Sequence, residues 1–126
     1  MHSHRMLFTA PAVWQHAHET RMFAADDGGT AAWTVRNGRL AQMWTNSTTC
    51  TSPVVAGGLL YVYNPNGSLN VYDPLRGMRV ANLNNGPGHW NSSIVVDGKI
   101  ALPEGNANQH TTTAGVLEIW TLPAAR

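Results

Sequence analysis

The chain has 126 residues, of which 43% are apolar and 12% charged, so it has room for one globular domain and not for two ordinary ones. A formal net charge of +1, with scattered basic residues, argues against nucleic acid or an anionic membrane surface as partner. Cys50 is the only cysteine, which excludes an intrachain disulfide, and no apolar run reaches the ~20 residues of a membrane span.

Taken in chain order, short runs rich in β-branched and aromatic residues alternate with Gly, Pro, Asn and Asp, and this pattern predicts an all-β fold. The first unit, about residues 7–45, has four predicted strands: Leu7–Trp14, Thr20–Ala25, Thr30–Val35 and Arg39–Thr45. The second unit, about residues 51–83, has four more: Ser52–Ala56, Leu59–Asn64, Ser68–Asp73 and Met78–Leu83. The third unit, about residues 91–122, has three: Asn91–Val96, Lys99–Pro103 and Val116–Leu122.

The three units are repeats of one another. Pro11 in the first unit corresponds to Pro53 in the second and to Ser93 in the third, which gives steps of 42 and 40 residues. A repeat of about 40 residues with four antiparallel strands is typical of a β-propeller blade. The sequence therefore predicts a single domain, residues 1–126, that is a partial β-propeller of two complete blades and a third without its outer strand.

Three blades are too few for a ring, because propellers typically close with about four to eight. The first and last blades are then expected to expose apolar faces, and the expected partners are missing blades or further copies of the chain. Three outcomes stay open: the carboxy-terminal part of a longer propeller, a self-assembled ring, or an open partial propeller. We favour the first, because a strand from elsewhere would complete the third blade.

Two groups of residues are candidates for binding. His16 and His18 have the spacing that brings two imidazoles to one side of an extended segment, which predicts a metal site, although two solvated loop histidines are the simpler interpretation. The connection at Gly86–Asn91 places His89, Trp90 and Asn91 together after a Gly-Pro-Gly turn. With His110, from the predicted long loop Asn106–Ala114, these form a predicted binding site for a protein or a small polar ligand.

The second unit carries a family resemblance. The segment from Ser52 to Tyr63, then Asn66–Asp73 and Gly77, resembles the repeat of the quinoprotein (PQQ-like) β-propellers. In that family an Asp, a Gly four positions on and a Trp four further form a tryptophan-docking motif. Asp73 and Gly77 match, whereas Ala81 stands at the Trp position of this unit and Gln42 at that of the first.

The resemblance also sets expectations about activity. A PQQ-dependent dehydrogenase would hold its quinone with calcium and commonly has two adjacent cysteines, and Cys50 is alone. We therefore expect a non-catalytic binding or scaffold module without a cofactor, and the alternative is a fragment of a PQQ-dependent dehydrogenase that uses PQQ and calcium. The resemblance implies a periplasmic or extracellular location, although the first residues lack the apolar core of a signal peptide.

Overall fold

The computed structural model describes residues 9–89, 91–106 and 114–121, and every regular element in this part of the chain is a β-strand. The all-β prediction is therefore confirmed. No helix that is long and apolar enough to cross a membrane occurs among these residues. The strands of the first two sheets are β1 (Ala12–His16), β2 (Glu19–Asp26), β3 (Gly29–Arg36), β4 (Arg39–Asn46), β5 (Val54–Ala56), β6 (Leu59–Asn64), β7 (Ser68–Tyr72) and β8 (Arg79–Asn84).

These eight strands form two antiparallel meanders, β1-β2-β3-β4 and β5-β6-β7-β8, which are the first and second blades. Short turns rich in glycine and asparagine separate the strands, as predicted. Between β3 and β4, for example, Asn37 and Gly38 have φ values of 51° and 71°, the left-handed conformation that two-residue hairpins favour.

The third blade contains β9 (Gly88–His89), β10 (Ile94–Val96), β11 (Lys99–Asn106) and β12 (Val116–Thr121). Its order is β10-β11-β12, and the two-residue β9 pairs in parallel with the end of β11. Two predicted boundaries in this blade were wrong. The first strand starts at Ile94 rather than Asn91, and the second continues to Asn106, where its last residues pair with β9. Most of the predicted long loop, including His110, lies outside the described residues.

The first strands of successive blades, β1, β5 and β10, lie next to one another, and the blades pack face to face. We call the face towards the preceding blade the entry face and the face towards the following blade the exit face. Strand pairing puts Val13, Val55 and Val95 at equivalent positions of the three entry faces. Trp33, Tyr72 and Trp120 are likewise equivalent, which confirms the predicted alignment of these aromatic residues.

The outer strands of the first two blades each contain a β-bulge at the equivalent position, and the strand pairing corrects the alignment of the docking motif. In the first blade Ala32 pairs with Trp44 and Trp33 with Gln42, so that Met43 is the extra residue. Ala32 is equivalent to Val71, which pairs with Ala81. The residue at the Trp position of the first blade is therefore Trp44. The assignment to Gln42 was wrong because eight residues separate Trp33 from its partner Gln42, whereas six separate Tyr72 from Arg79, so Gly38 is not equivalent to Gly77.

Trp44 joins the first blade to the second. Its Nε1 donates a hydrogen bond of 3.0 Å to the carbonyl oxygen of Pro74, and its ring lies against Gly77. A Cβ on Gly77 would lie 2.6 Å from the Trp44 ring, and Gly77 has a φ of 69°. Only glycine meets both conditions without strain. The Asp73–Gly77 turn therefore serves as a docking platform for the preceding blade.

Candidate functional site

The segment from Asn85 to Asn91 connects the outer strand of the second blade to the inner strand of the third, and the structure describes all of it except Trp90. We call it the second crossing. Its start is held against the β6-β7 turn, because the Asn85 amide donates to the Gly67 carbonyl at 3.2 Å and the Gly88 amide donates to that of Pro65 at 2.9 Å. These backbone hydrogen bonds alone fix the path of the crossing at its start.

Tyr63 fixes the middle of the second crossing from the second blade. Its hydroxyl donates a hydrogen bond of 2.8 Å to the carbonyl oxygen of Gly86, and the side chain is buried. A Cβ on Gly88 would lie only 2.6 Å from the hydroxyl oxygen of Tyr63, so position 88 has no room for a side chain. Glycine at 88 therefore allows the crossing to pass directly over Tyr63.

Two carboxylates fix the same segment from the third blade. Glu104 Oε1 accepts a hydrogen bond of 2.5 Å from the Gly86 amide, and Glu118 Oε2 accepts one of 2.6 Å from Asn85 Nδ2. Burial raises the pKa of Tyr63 to about 12, and the negative charges of Glu104 and Glu118 add to this increase. At neutral pH the Tyr63 hydroxyl is therefore protonated and donates.

The predicted ligand-binding residues are placed only in part. Asn91 Nδ2 donates to the carbonyl oxygens of Pro103 at 2.7 Å and Gly105 at 3.2 Å, so its amide nitrogen ties the crossing to β11. His89 is half-buried in β9. Trp90 and His110 lie outside the described residues. A ligand site formed by His89, Trp90, Asn91 and His110 stays a prediction.

The predicted metal site at His16 and His18 also stays a prediction, but its geometric reason does not hold. His16 ends β1, with its ring stacked on Trp14 at a centroid distance of 4.4 Å, whereas His18 lies in the following turn with a φ of 65°. The two residues are therefore not on one extended segment. Among the described residues, no group of three or more His, Cys, Asp or Glu side chains is placed to hold a metal ion.

The surroundings of Cys50 and Asp73 fit a structural role for both residues. Cys50 is buried between the first two blades, and burial raises its pKa to about 12, so the thiol is protonated and unreactive at neutral pH. Asp73 Oδ1 accepts hydrogen bonds from the amides of Leu75 at 2.8 Å and Arg76 at 3.3 Å. The bond from Leu75 is the main reason why the pKa of Asp73 is lowered. Asp73 caps its own turn, as predicted.

Sequence analysis missed the residues that fix the second crossing, Tyr63, Glu104 and Glu118. Tyr63 was predicted only as part of the strand Leu59–Asn64, and Glu104 was placed after the end of its strand. One signal was present: Glu118 stands between apolar residues in a predicted strand, and a charged residue that such a strand buries usually has a specific partner.

The fold resembles two solved structures. A europium-containing methanol dehydrogenase superposes with a TM-score of 0.67 and 10% identity over 95% of this chain and 25% of that one. The computationally designed Ika4 protein superposes with a TM-score of 0.53 and 16% identity, over 89% of this chain and 65% of that one. The chain thus spans about a quarter of the dehydrogenase. No protein-family model and no curated protein sequence matches the chain. The four-stranded sheets are blades of β-propeller type, and the likeness shows the fold alone.

Proposed function

We propose that the chain is a non-catalytic binding or scaffold module of quinoprotein-like β-propeller type that works within a larger propeller assembly. The observation that carries this proposal is that the reactive side chains are buried or hydrogen-bonded at the joints between blades. Tyr63, Glu104 and Glu118 hold the second crossing, and Cys50 is buried in the joint between the first two blades. To act in catalysis, these side chains would have to break the contacts that they make between blades.

The larger assembly is part of the proposal because a blade buries its faces against its neighbours. The periplasmic or extracellular location implied by the resemblance belongs to the proposal as well. The proposal also includes the binding of a protein or small polar ligand at the second crossing, since crossings of this kind lie together at one end of the blades.

The test is to add PQQ and calcium to the purified chain and to follow quinone absorbance and thermal unfolding. We expect no saturable change in absorbance and no rise in melting temperature. Saturable binding with a higher melting temperature, reversed by a calcium chelator, would contradict the proposal. A variant with Trp90→Ala serves to separate specific binding near the second crossing from adsorption to exposed apolar surface.

The second candidate is a part of a PQQ-dependent dehydrogenase, and the superposition on a methanol dehydrogenase favours it. Glu104 and Glu118 are hydrogen-bonded to the crossing, which counts against a role for these two carboxylates as calcium ligands. This candidate therefore needs residues beyond the described part of the chain. Dye-linked alcohol oxidation by a longer protein containing this sequence would support it, and inactivity over a broad substrate panel would count against it.

A further inference from the structure

The turns of each blade lie at two opposite ends. Because antiparallel strands reverse direction at every turn, the crossings share one end with the turn between the second and third strands, and the remaining turns lie at the other end. The first crossing, residues 47–53, is hydrogen-bonded to both of its blades: Thr30 Oγ1 donates to the Thr48 carbonyl at 2.7 Å, and the Thr51 amide donates to that of Tyr63 at 3.1 Å. The second crossing is bonded to the second and third blades in the same way. The three blades therefore share a crossing end and, opposite it, a turn end.

The charged side chains are divided unequally between these two ends. The turn end carries every arginine and lysine of the described residues: Arg21, Arg36, Arg39, Arg76, Arg79 and Lys99. Three carboxylates accompany them: Glu19, Asp73 and Asp97. The crossing end has four carboxylates instead: Asp26, Asp27, Glu104 and Glu118. The fold thus gathers basic residues that are scattered in the sequence, and the small net charge conceals a basic end and an acidic end.

The exposed charges of the turn end are mainly positive. Glu19 accepts hydrogen bonds from both Arg21 and Arg36, and Asp73 accepts one of 3.2 Å from Arg76 Nη1. The Arg36 and Arg76 side chains are 70% and 75% exposed, whereas those of Glu19 and Asp73 are each 23% exposed. These two carboxylates are therefore already paired and lie behind the arginines that face the solvent.

Two further arginines at this end form no ion pair within the described residues. Arg39 and Arg79 are the first residues of the outer strands β4 and β8, and both are exposed. Arg79 Nη1 donates a hydrogen bond of 3.3 Å to Asn70 Oδ1, which is neutral. We call the turn between the third and outer strands of a blade its outer turn. The outer turn of each complete blade thus has one arginine held by a carboxylate and, at its end, a second without an acidic partner.

Aliphatic side chains lie beside the arginines of the second blade. Leu75 precedes Arg76 in the outer turn and is 38% exposed, and Met78 precedes Arg79 and is 62% exposed. Arg and Met are enriched in interfaces between proteins, and Arg binds carboxylate groups through two parallel hydrogen bonds. The mixture favours a protein partner, because a polysaccharide or a nucleic acid has no aliphatic side chains to pack against Leu75 and Met78.

We propose that the turn end is a docking surface for an acidic segment of another protein, which lies across the outer turns of the first and second blades. Carboxylates of the segment pair with Arg39 and Arg79, and its aliphatic residues cover Leu75 and Met78. The carboxylates of the crossing end repel such a segment, so that electrostatic steering directs it to the turn end. This inference goes beyond the proposed function, because the surface is compatible with a catalytic chain as well and the PQQ test does not decide it.

The experiment measures binding of a fluorescein-labelled peptide with the repeat Glu-Leu-Asp-Gly by fluorescence anisotropy, at low and at physiological salt. One variant, Arg39→Gln with Arg79→Gln, removes both unpaired charges. Its matched control, Asn66→Asp with Asn84→Asp, lowers the net charge by the same amount at exposed positions of the crossing end. Another variant, Leu75→Ser with Met78→Ser, removes the aliphatic contacts. Circular dichroism and thermal unfolding establish that each variant is folded.

We expect saturable binding that weakens as the salt concentration rises, because the contacts are charged and exposed. The arginine variant should lose about fivefold or more in affinity, since two exposed ion pairs are removed, and its control should bind as the natural chain does. The aliphatic variant should also bind more weakly.

Absence of binding at low salt would overturn the proposal, and so would equal losses in the arginine variant and its control. An aliphatic variant that binds the peptide as tightly as the natural chain would overturn the assignment to a protein partner. Binding of polygalacturonate or double-stranded DNA as tightly as the peptide would overturn it as well, because the turn end would then recognise negative charge alone.

Discussion

The joint between the first and second blades and the joint between the second and third blades use equivalent strand positions but are closed by different chemistry. In the first joint an aromatic side chain, Trp44, lies on a glycine, and the neighbouring groups are apolar. In the second joint two carboxylates, Glu104 and Glu118, hold the backbone and side chain of the crossing. The repeat thus specifies where the blades meet, and individual side chains decide how each joint is locked.

The difference predicts that the first joint is sensitive to shape and the second to hydrogen bonding and charge. Changes that add volume will damage the first joint most, because packed interiors leave no free space for an added methyl group. Changes that remove an acceptor will damage the second, because a buried donor is then left without a partner. The three substitutions below test this contrast in order of expected effect.

The largest effect is expected for Gly77→Ala in the first joint. The added Cβ would lie 2.6 Å from the Trp44 ring, at a residue whose φ is 69°. Overpacking and the left-handed conformation together should lower the free energy of unfolding by about 2–4 kcal/mol. Chemical denaturation followed by tryptophan fluorescence measures this loss.

Gly98→Ala is the matched control for that prediction. Gly98 has nearly the same φ, 68°, but no atom lies within 4 Å of its added Cβ, so the control carries only the conformational cost of about 1 kcal/mol. Equal losses in the two variants would show that contact between Trp44 and Gly77 does not lock the first joint.

A smaller effect is expected for Glu104→Ala in the second joint. The substitution leaves the Gly86 amide without its acceptor, which should cost about 1–2 kcal/mol of unfolding free energy. Glu104→Gln retains a side-chain carbonyl oxygen and should recover most of the loss. If glutamine at this position is as damaging as alanine, the charge of Glu104 rather than its acceptor oxygen stabilises the joint.

The sequence predicted the repeated part of the molecule better than the particular contacts. The boundaries of β6 were predicted as observed, because Gly57-Gly58 and Pro65-Asn66-Gly67 enclose an apolar run. The true equivalent of the docking tryptophan, Trp44, was missed because the β3-β4 hairpin is two residues longer than the β7-β8 connection, so a fixed spacing from the turn glycine leads to the wrong residue. The contact of Glu104 with Gly86, which only the packing of blades brings about, has no local signature in the sequence.

The smallest effect at neutral pH, about 1 kcal/mol, is expected for Tyr63→Phe, which removes the hydrogen bond from the hydroxyl to the Gly86 carbonyl. Its more specific consequence is at alkaline pH. Because the pKa of Tyr63 rises from its ordinary value of 10.0 to about 12 on folding, the folded state holds the phenolic proton more tightly than the unfolded state. This contribution to stability is complete below pH 10 and is lost as the pH rises towards 12.

Unfolding free energies measured from pH 8 to pH 12 should therefore fall more steeply for the natural chain than for Tyr63→Phe. Cys50, whose pKa burial also raises to about 12, and Tyr61, whose pKa burial raises, contribute the same alkaline loss in both proteins, so the difference between the curves isolates Tyr63. Glu104→Gln should reduce the extra slope in part, because it removes one of the two negative charges that oppose ionisation of Tyr63. Parallel curves would mean that neither burial nor the two carboxylates raises the pKa of Tyr63 on folding.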